Sequence, residues 1–507
     1  MNNTIKQTLQ LDQILATVAE NTHSQLAAAQ LQATAILLDL AAVQTELALT
    51  HEAHQLLAND VRLTFFDLDQ LTVIKTKLDS GRLLNVEQLK AILGCLTTWQ
   101  RIGIVMHKFA DTAPQLNALV TAQVSLKGLR QRLDEVVDLR GIKDTATPEL
   151  ARLRQAKQKM ATKIQTAVAQ FSQKHPREVQ SHQLIQRDGH YCVQLKANYK
   201  HRFPGNILGQ SATGSTVYFE PSNVSQNGQA LAAIIGDEEA EVYQILATAT
   251  GDVSEHWPEL DQQVQLLSRL DQIFAKGQYG LDTAAMLPRL NDQQRVNIVN
   301  GRHPLLGKGA VPLNVQLDGH QSLMITGANS GGKTVVLKTI ALFALMIKVG
   351  LEIPADGGTN LAVFDQILID IGDQQNMAAQ LSTFSGEMTT LVAITTDLRP
   401  NALVLMDEIG SGTDPEEGAA LGIAIIDYLM HQGAKLVVTT HYSDIKQYAV
   451  DQVNFVTGAM AFNRQTLQPE YRLLLNQVGE SEAMWLAAKL GLQPTILAAA
   501  RRQLHVE

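Results

Sequence analysis

The chain has 507 residues, 45% of them apolar and 18% charged, and a formal net charge of −9. That length calls for roughly three or four domains, and the composition excludes a disordered or fibrous chain. The negative balance excludes a general nucleic-acid wrapper, so any such binding must rest on a local patch.

Residues 1–146 are predicted as a mostly helical core. Leu, Ala and Gln dominate there, with apolar positions at helical spacing such as Leu9, Leu11, Ile14, Leu15 and Val18. Residues 1–7 lack the charged and apolar regions of a signal peptide. The longest apolar stretches are cut by Gln, Lys or Asp, so no membrane partner is expected. Cys95 and Cys192 are the only cysteines and lack metal-ligand spacing. They read as thiols of a reducing compartment, and a cytoplasmic protein is expected.

Residues 147–182 read as the first helix of an arm. Thr147 suits an N-cap and Pro148 the first helical position. Leu150, Leu153, Met160, Ile164, Ala167 and Phe171 follow at alternating three and four, a coiled-coil seam broken at Lys157. Residues 183–225 hold short alternating runs between the turn formers Pro204-Gly205 and Gly214-Ser215, which predicts a small β-rich insert. Residues 226–296 carry a second long helix, with Leu231, Ile235, Val242 and Ile245, and a further helical stretch from 257.

Two charge patterns in the arm each admit two readings. Arg152, Arg154, Lys157, Lys159 and Lys163 form a nucleic-acid surface, or they are neutralised by Asp237, Glu238, Glu239 and Glu241 on the second helix. Lys196, Lys200, His201 and Arg202, interleaved with Tyr199 and Phe203, suit a nucleic-acid grip or a strand edge guarded by charge.

From 297 to 507 the pattern becomes that of an α/β domain, closing with one helix at about 481–505. Its first motif is Gly327-Ala328-Asn329-Ser330-Gly331-Gly332-Lys333-Thr334, placed after the apolar run Leu323-Met324-Ile325. Glycines let backbone N–H groups wrap phosphate oxygens, Lys333 reaches the β and γ phosphates, and Thr334 can hold Mg2+. Gly327, Asn329, Ser330, Gly331, Gly332, Lys333 and Thr334 are therefore the candidate ATP-binding residues. Residues 402–408 form an apolar run ending in Asp407 and Glu408. Such a strand delivers carboxylates to the edge of the sheet where ligands bind. Asp407 would share the Mg2+ with Thr334, and Glu408 would position the attacking water. Residues 436–441 end likewise in His441, a neutral imidazole suited to a hydrogen bond with the γ phosphate. Lys333, Glu408 and His441 are the candidate catalytic residues.

A fourth motif, Leu381-Ser382-Thr383-Phe384-Ser385, completes a set with Leu405-Met406-Asp407-Glu408-Ile409-Gly410-Ser411-Gly412-Thr413-Asp414 and Thr439-Thr440-His441-Tyr442. Together they resemble the MutS family of ABC-type ATPases, most closely its second bacterial type. The resemblance extends through Ile369-Asp370-Ile371-Gly372-Asp373, Gly301-Arg302-His303-Pro304, Tyr218-Phe219-Glu220-Pro221 and Gly141-Ile142-Lys143-Asp144. It implies an α plus α/β fold: a mostly helical core and long-helix arm with a β-rich clamp insert, followed by an ABC-type ATPase domain. It also implies ATP and Mg2+ as cofactors and a homodimer with composite ATP sites. In that dimer Ser382 or Ser385 would reach the partner's γ phosphate, the Ser-Thr-Phe match favouring Ser382. The Gly412-Thr413-Asp414 turn would lie at the shared interface.

The implied ligand is branched or recombination-intermediate DNA. A ribosome-associated ATPase and an ATP-binding regulatory paralogue are the alternatives. The chain departs from the family pattern in Ala328, where Pro is usual, in Gly386-Glu387 after the fourth motif, and in having no Phe-x-Glu mismatch-reading motif. It ends at Glu507, where this type normally continues into an Smr nuclease domain, so nuclease activity is not expected of it.

Overall fold

A computed structural model of the chain describes residues 2–327, 331–371, 383–411, 413–479, 483–489 and 491–504. They form two compact units, one of residues 1–65, 102–122 and 266–507, the other of 66–101 and 123–265.

The first unit is built on a six-stranded sheet. Its strands are β1 (Ser322–Thr326), β2 (Gln366–Asp370), β3 (Ala402–Met406), β4 (Lys435–Thr439), β5 (Phe455–Asn463) and β6 (Gln468–Leu475). They lie in the order β2-β3-β4-β1-β5-β6. The first five run parallel and β6 closes one edge antiparallel. Strands β1, β3 and β4 are buried along their whole length, so they read as continuous apolar runs. The period of two still sorts their side chains. Leu323, Ile325, Leu403, Leu405 and Val437 share one core with the helix Lys333–Lys348. Met324, Val404, Met406, Leu436 and Val438 face the opposite way, into a core that includes Leu391, Ile426 and Ile445 of the helices Thr383–Thr396, Pro415–His431 and Ser443–Asp451.

The helix Lys333–Lys348 is apolar almost all round and is buried accordingly. A four-stranded sheet of Arg289–Asn291, Asn360–Ala362, Val296–Gly301 and Leu313–Leu317 contributes to its core. So do Leu9, Leu11, Ile14, Leu15 and Val18 from the N-terminal segment. The amphipathic N-terminus thus belongs to the same compact unit as the α/β segment, a grouping that composition does not reveal.

Two helical expectations change. Residues 283–295 do not continue the helix Trp257–Asp282; Arg289–Asn291 is a strand, because its backbone completes the small sheet beside Asn360–Ala362. The closing helix is two helices, Ala483–Lys489 and Pro494–Leu504. Gly491, at φ +93°, and Pro494 separate them, since neither continues a right-handed helix from the preceding turn.

In the second unit the helix Pro148–Lys174 starts at Thr147, whose Oγ accepts from the Leu150 N–H at 3.1 Å and donates to Glu241 at 2.6 Å. It pairs with the helix Ser222–Glu255. The break in the apolar seam at Lys157 is filled electrostatically. Lys157 donates to Glu238 Oε2 at 2.6 Å and Arg154 to Glu238 Oε1 at 3.1 Å. Lys157 thereby holds the Glu238 carboxyl below its usual range. Neutralisation by the second helix therefore accounts for Arg154 and Lys157. Between the helices lies an antiparallel sheet of Val179–Arg187, His190–Lys196, Thr216–Pro221 and Gly205–Gln210, in that order. Val193, Leu195, Val217 and Phe219 seat it against Ile164, Val168, Val224 and Leu231 of the helices.

Replacing Glu238 with Ala removes the shared partner of Arg154 and Lys157 and should destabilise the helix pair by about 1 kcal/mol. Amide exchange over 148–174 and 222–255 should then quicken about fivefold. Unchanged exchange would show that the apolar seam holds without the pair.

Candidate functional site

The site forms at the C-terminal ends of β1 to β4. After β1 the chain turns through Gly327, at φ +126°, and reaches the helix Lys333–Lys348 through Gly332, at φ +93°. Space favours glycine here as well as backbone. A Cβ on Gly327 or Gly331 would stand 3.2 or 3.1 Å from Met460 Cβ, and one on Gly332 3.1 Å from the Tyr471 ring. The turn is tied from behind: the Gly479 N–H donates to Thr326 Oγ1 at 2.8 Å, and Thr326 Oγ1 donates to the Gly458 carbonyl at 3.0 Å. A helix N-terminus, with its backbone N–H groups and positive dipole end, attracts anions. Of the predicted loop residues, Asn329 and Ser330 lie outside the described residues, as does Ala328.

Lys333 is 2% exposed and folds back over its own loop, its Nζ donating to the Gly327 carbonyl at 2.8 Å. Burial pushes its pKa down, against the upward pull of Glu408 and Asp407. A polyphosphate bound beside it would favour its charged form further.

Asp407 joins three elements. Its Oδ2 accepts from Thr334 Oγ1 at 2.6 Å and its Oδ1 from Thr439 Oγ1 at 2.5 Å, while its N–H donates to the Asp370 carbonyl at 2.9 Å. Thr439 Oγ1 also accepts from the Glu408 N–H at 2.8 Å. Glu408 sits at φ +52°, in the left-handed region that costs a non-glycine residue roughly 1 kcal/mol or more. The turn beyond it is fixed by a glycine contact: a Cβ on Gly418 would come 2.3 Å from the Gly410 carbonyl oxygen.

Two further carboxylates face this group. Asp370 is raised to about 7 by burial and by Glu387 and Asp407. Glu387 is raised by burial and by Glu408, although the Gly410 N–H opposes the shift. Hydroxyl and carboxylate oxygens beside an excess of negative charge are the donor set of a hard divalent cation. Thr334 and Asp407 fit Mg2+ on that ground.

His441 lies two residues beyond the end of β4, exposed, with its ring 4.3 Å from that of Tyr442. Ser385 is exposed near the start of the helix Thr383–Thr396, while Ser382 and Gly412 lie outside the described residues. Asp414 caps the helix Pro415–His431, accepting from the N–H groups of Glu416 and Glu417.

Sequence reasoning passed over Thr439, Asp370 and Glu387. The first two carry the signal that found Asp407, a polar residue ending an apolar strand. Glu387 carries none, since it comes into place only through the helix that holds it. A cavity of about 350 Å³ beside Gly332 was also missed; His303, Leu306, Val311, Val335, Thr339 and Tyr471 are among its lining. It draws on segments far apart in the chain.

Residues 323–506 match the family described as MutS domain V. The chain is 33% identical over 506 residues to Endonuclease MutS2 of Caldanaerobacter subterraneus subsp. tengcongensis, covering 98% of this chain and 64% of the relative. It is 33% identical over 515 residues to Endonuclease MutS2 of Exiguobacterium sibiricum, covering 100% and 65%. It is 39% identical over 390 residues to Endonuclease MutS2 of Brevibacillus brevis, covering 75% and 50%. The chain thus spans just under two thirds of the length of the first two relatives.

Thr439→Val deletes the hydroxyl shared by Asp407 and Glu408 while preserving shape. A hydrogen bond to a charged group contributes about 1.5–3 kcal/mol, so nucleotide turnover should fall about 10- to 100-fold. Nucleotide affinity, measured with a fluorescent analogue, should stay within about threefold. An equal loss in both would mean that Thr439 serves binding and not the chemical step.

Proposed function

Domain V and similarity along nearly the whole chain support membership of the MutS family, in its MutS2 branch, and on that premise we propose that this protein is an ATP-driven clamp that grips DNA. The observation that carries the nucleotide half is the convergence of Lys333, Thr334, Asp407, Glu408 and Thr439 on one edge of the sheet. The loop N–H groups and Lys333 would hold the β and γ phosphates. Thr334 and Asp407 would hold Mg2+, which neutralises charge on the phosphate oxygens when bound. Glu408, fixed through its own N–H by Thr439, would orient the attacking water. His441, exposed beyond the end of its strand, would donate from an imidazole N–H to a γ-phosphate oxygen. The apolar cavity beside Gly332 suits the nucleobase.

The remaining donors to the γ phosphate would come from a second copy, with Ser382 as the contact and Asp414's turn at the shared interface. Two ATP molecules would then act as clasps between protomers, closing on binding and releasing on hydrolysis.

For the DNA grip the support is local. Arg202 is exposed and its guanidinium stands 5.5 and 5.9 Å from the rings of Tyr199 and Phe203. Its ion pair with Glu178, at 3.3 Å, is solvent-exposed on the arginine side and therefore weak. A phosphate could displace it at little cost. Branched or recombination-intermediate DNA is the preferred ligand on the family resemblance alone.

Glu408→Gln keeps the loop and the Mg2+ ligands, so it should bind ATP, turn over at least about a hundredfold more slowly and accumulate as a closed dimer in sedimentation. A variant that stays open with ATP would remove the composite-site reading. Replacing Lys200 and Arg202 together with Ala should weaken binding to a four-way junction and lower the salt slope by about 2. Unchanged affinity would reduce the insert to a charge-guarded sheet edge. ATPase stimulation by purified ribosomes, with none by junction or duplex DNA, would replace the DNA reading with the ribosomal one.

A further inference from the structure

Away from the nucleotide site, three side chains from distant parts of the first unit converge without any role in the reading above. His51 and His54 lie three residues apart on the helix Leu40–Ala58, which puts both imidazoles on one face. Glu352 follows the helix Lys333–Lys348 after a turn at Gly350, where φ is +73°. Its carboxylate is 1% exposed. His51 Nδ1 stands 2.6 Å from Oε1, and His54 Nδ1 is paired with Oε2. One donor atom from each of the three residues falls within 4.8 Å of the others.

We propose that His51, His54 and Glu352 form a transition-metal site of the zinc class. Two imidazole nitrogens and one carboxylate are the ligand set of open, four-coordinate zinc, and nitrogen ligands disfavour Mg2+ and Ca2+. The fourth position falls to water on the side of His51, the most exposed of the three side chains. Ligand atoms about 2.0–2.2 Å from a tetrahedral metal stand about 3.3 Å apart. His51 and Glu352 need to part by less than an ångström to reach that distance.

The surroundings favour this use. Gln55 Nε2 lies 2.9 Å from His51 Nε2, and a side-chain amide can accept from that nitrogen once Nδ1 is given to a metal. Gly280 leaves room: a Cβ there would come 2.7 Å from Glu352 Oε2 and 3.2 Å from His54 Nδ1. The neighbouring acid, Glu52, is turned elsewhere and accepts from the N–H groups of Gln115 and Leu116. The site therefore has three protein ligands and one of them buried. A metal held there would tie the helix Leu40–Ala58 to the far end of the helix that begins at Lys333.

The full chain, untagged and stripped with a chelator, should be titrated with Zn2+ against a chromogenic zinc indicator. Excess Mg2+ without nucleotide keeps the oxygen ligands Thr334 and Asp407 from contributing. The wild type should take up one Zn2+ per chain. His51→Ala and His54→Ala should each lose it while keeping a wild-type circular dichroism spectrum, and Gln55→Ala should bind at least about tenfold more weakly. Because the histidine variants could misfold, Co2+ is added to the wild type as well. The intense visible bands of a four- or five-coordinate ion support the site, and the weak bands of an octahedral aquo ion count against it. Absence of zinc uptake by the wild type, or undiminished uptake by both histidine variants, overturns the proposal and leaves the cluster a hydrogen-bonded clasp.

Discussion

The carboxylate of Asp407 is the constraint on which the site depends. Each of its oxygens accepts from a threonine on a different element, Thr334 at the head of the loop helix and Thr439 at the end of β4. Its own strand is aligned by the backbone bond to Asp370. One side chain thereby links its own strand to two further segments. Thr439 passes the alignment on to Glu408 through the backbone N–H and not through the carboxylate. Under the proposed chemistry, one residue of this strand end positions and its neighbour reacts.

That arrangement is held against a cost. Lys333 is buried, Glu408 is in the left-handed region, and Asp370 and Glu387 are pushed toward their neutral forms by burial and by neighbouring carboxylates. Around these groups the packing leaves little freedom to relax. Strands β1, β3 and β4 are buried throughout, the loop helix is enclosed, and Gly410 and Gly418 touch backbone to backbone. Charge and strain of this kind persist only where the surroundings over-determine them. A divalent cation beside the carboxylates would offset their mutual repulsion.

The arm follows a different logic. Lys157 interrupts an apolar seam, and Glu238 answers it from the opposite helix while also taking Arg154. A cross-seam ion pair contributes little net stability, but it penalises any slip of one helix past the other, because a slip would leave the charges unmatched. The insert at the end of the arm is seated by aromatic and branched residues on its inner face. Its outward Arg202 is held by weak contacts that a phosphate could replace.

Much was legible in the amino-acid order alone. The α plus α/β class, the glycine entry to the helix at Lys333 and the apolar strands leading to Asp407 and to Thr439-Thr440-His441 follow from spacing and residue type, because local chemistry dictates them. The helix start at Thr147-Pro148 is of the same kind. Tertiary structure decided the rest. Arg289–Asn291 became a strand because its neighbours needed an edge, and the N-terminal helices joined the α/β unit because its buried helix needed cover. The roles of Thr439, Asp370 and Glu387 depend on distances between strands and helices remote in the chain. So does the meeting of His51 and His54 with Glu352, some three hundred positions away. A pattern of residues specifies the element it lies on, whereas the partner across a core is chosen by packing, which no local spacing encodes.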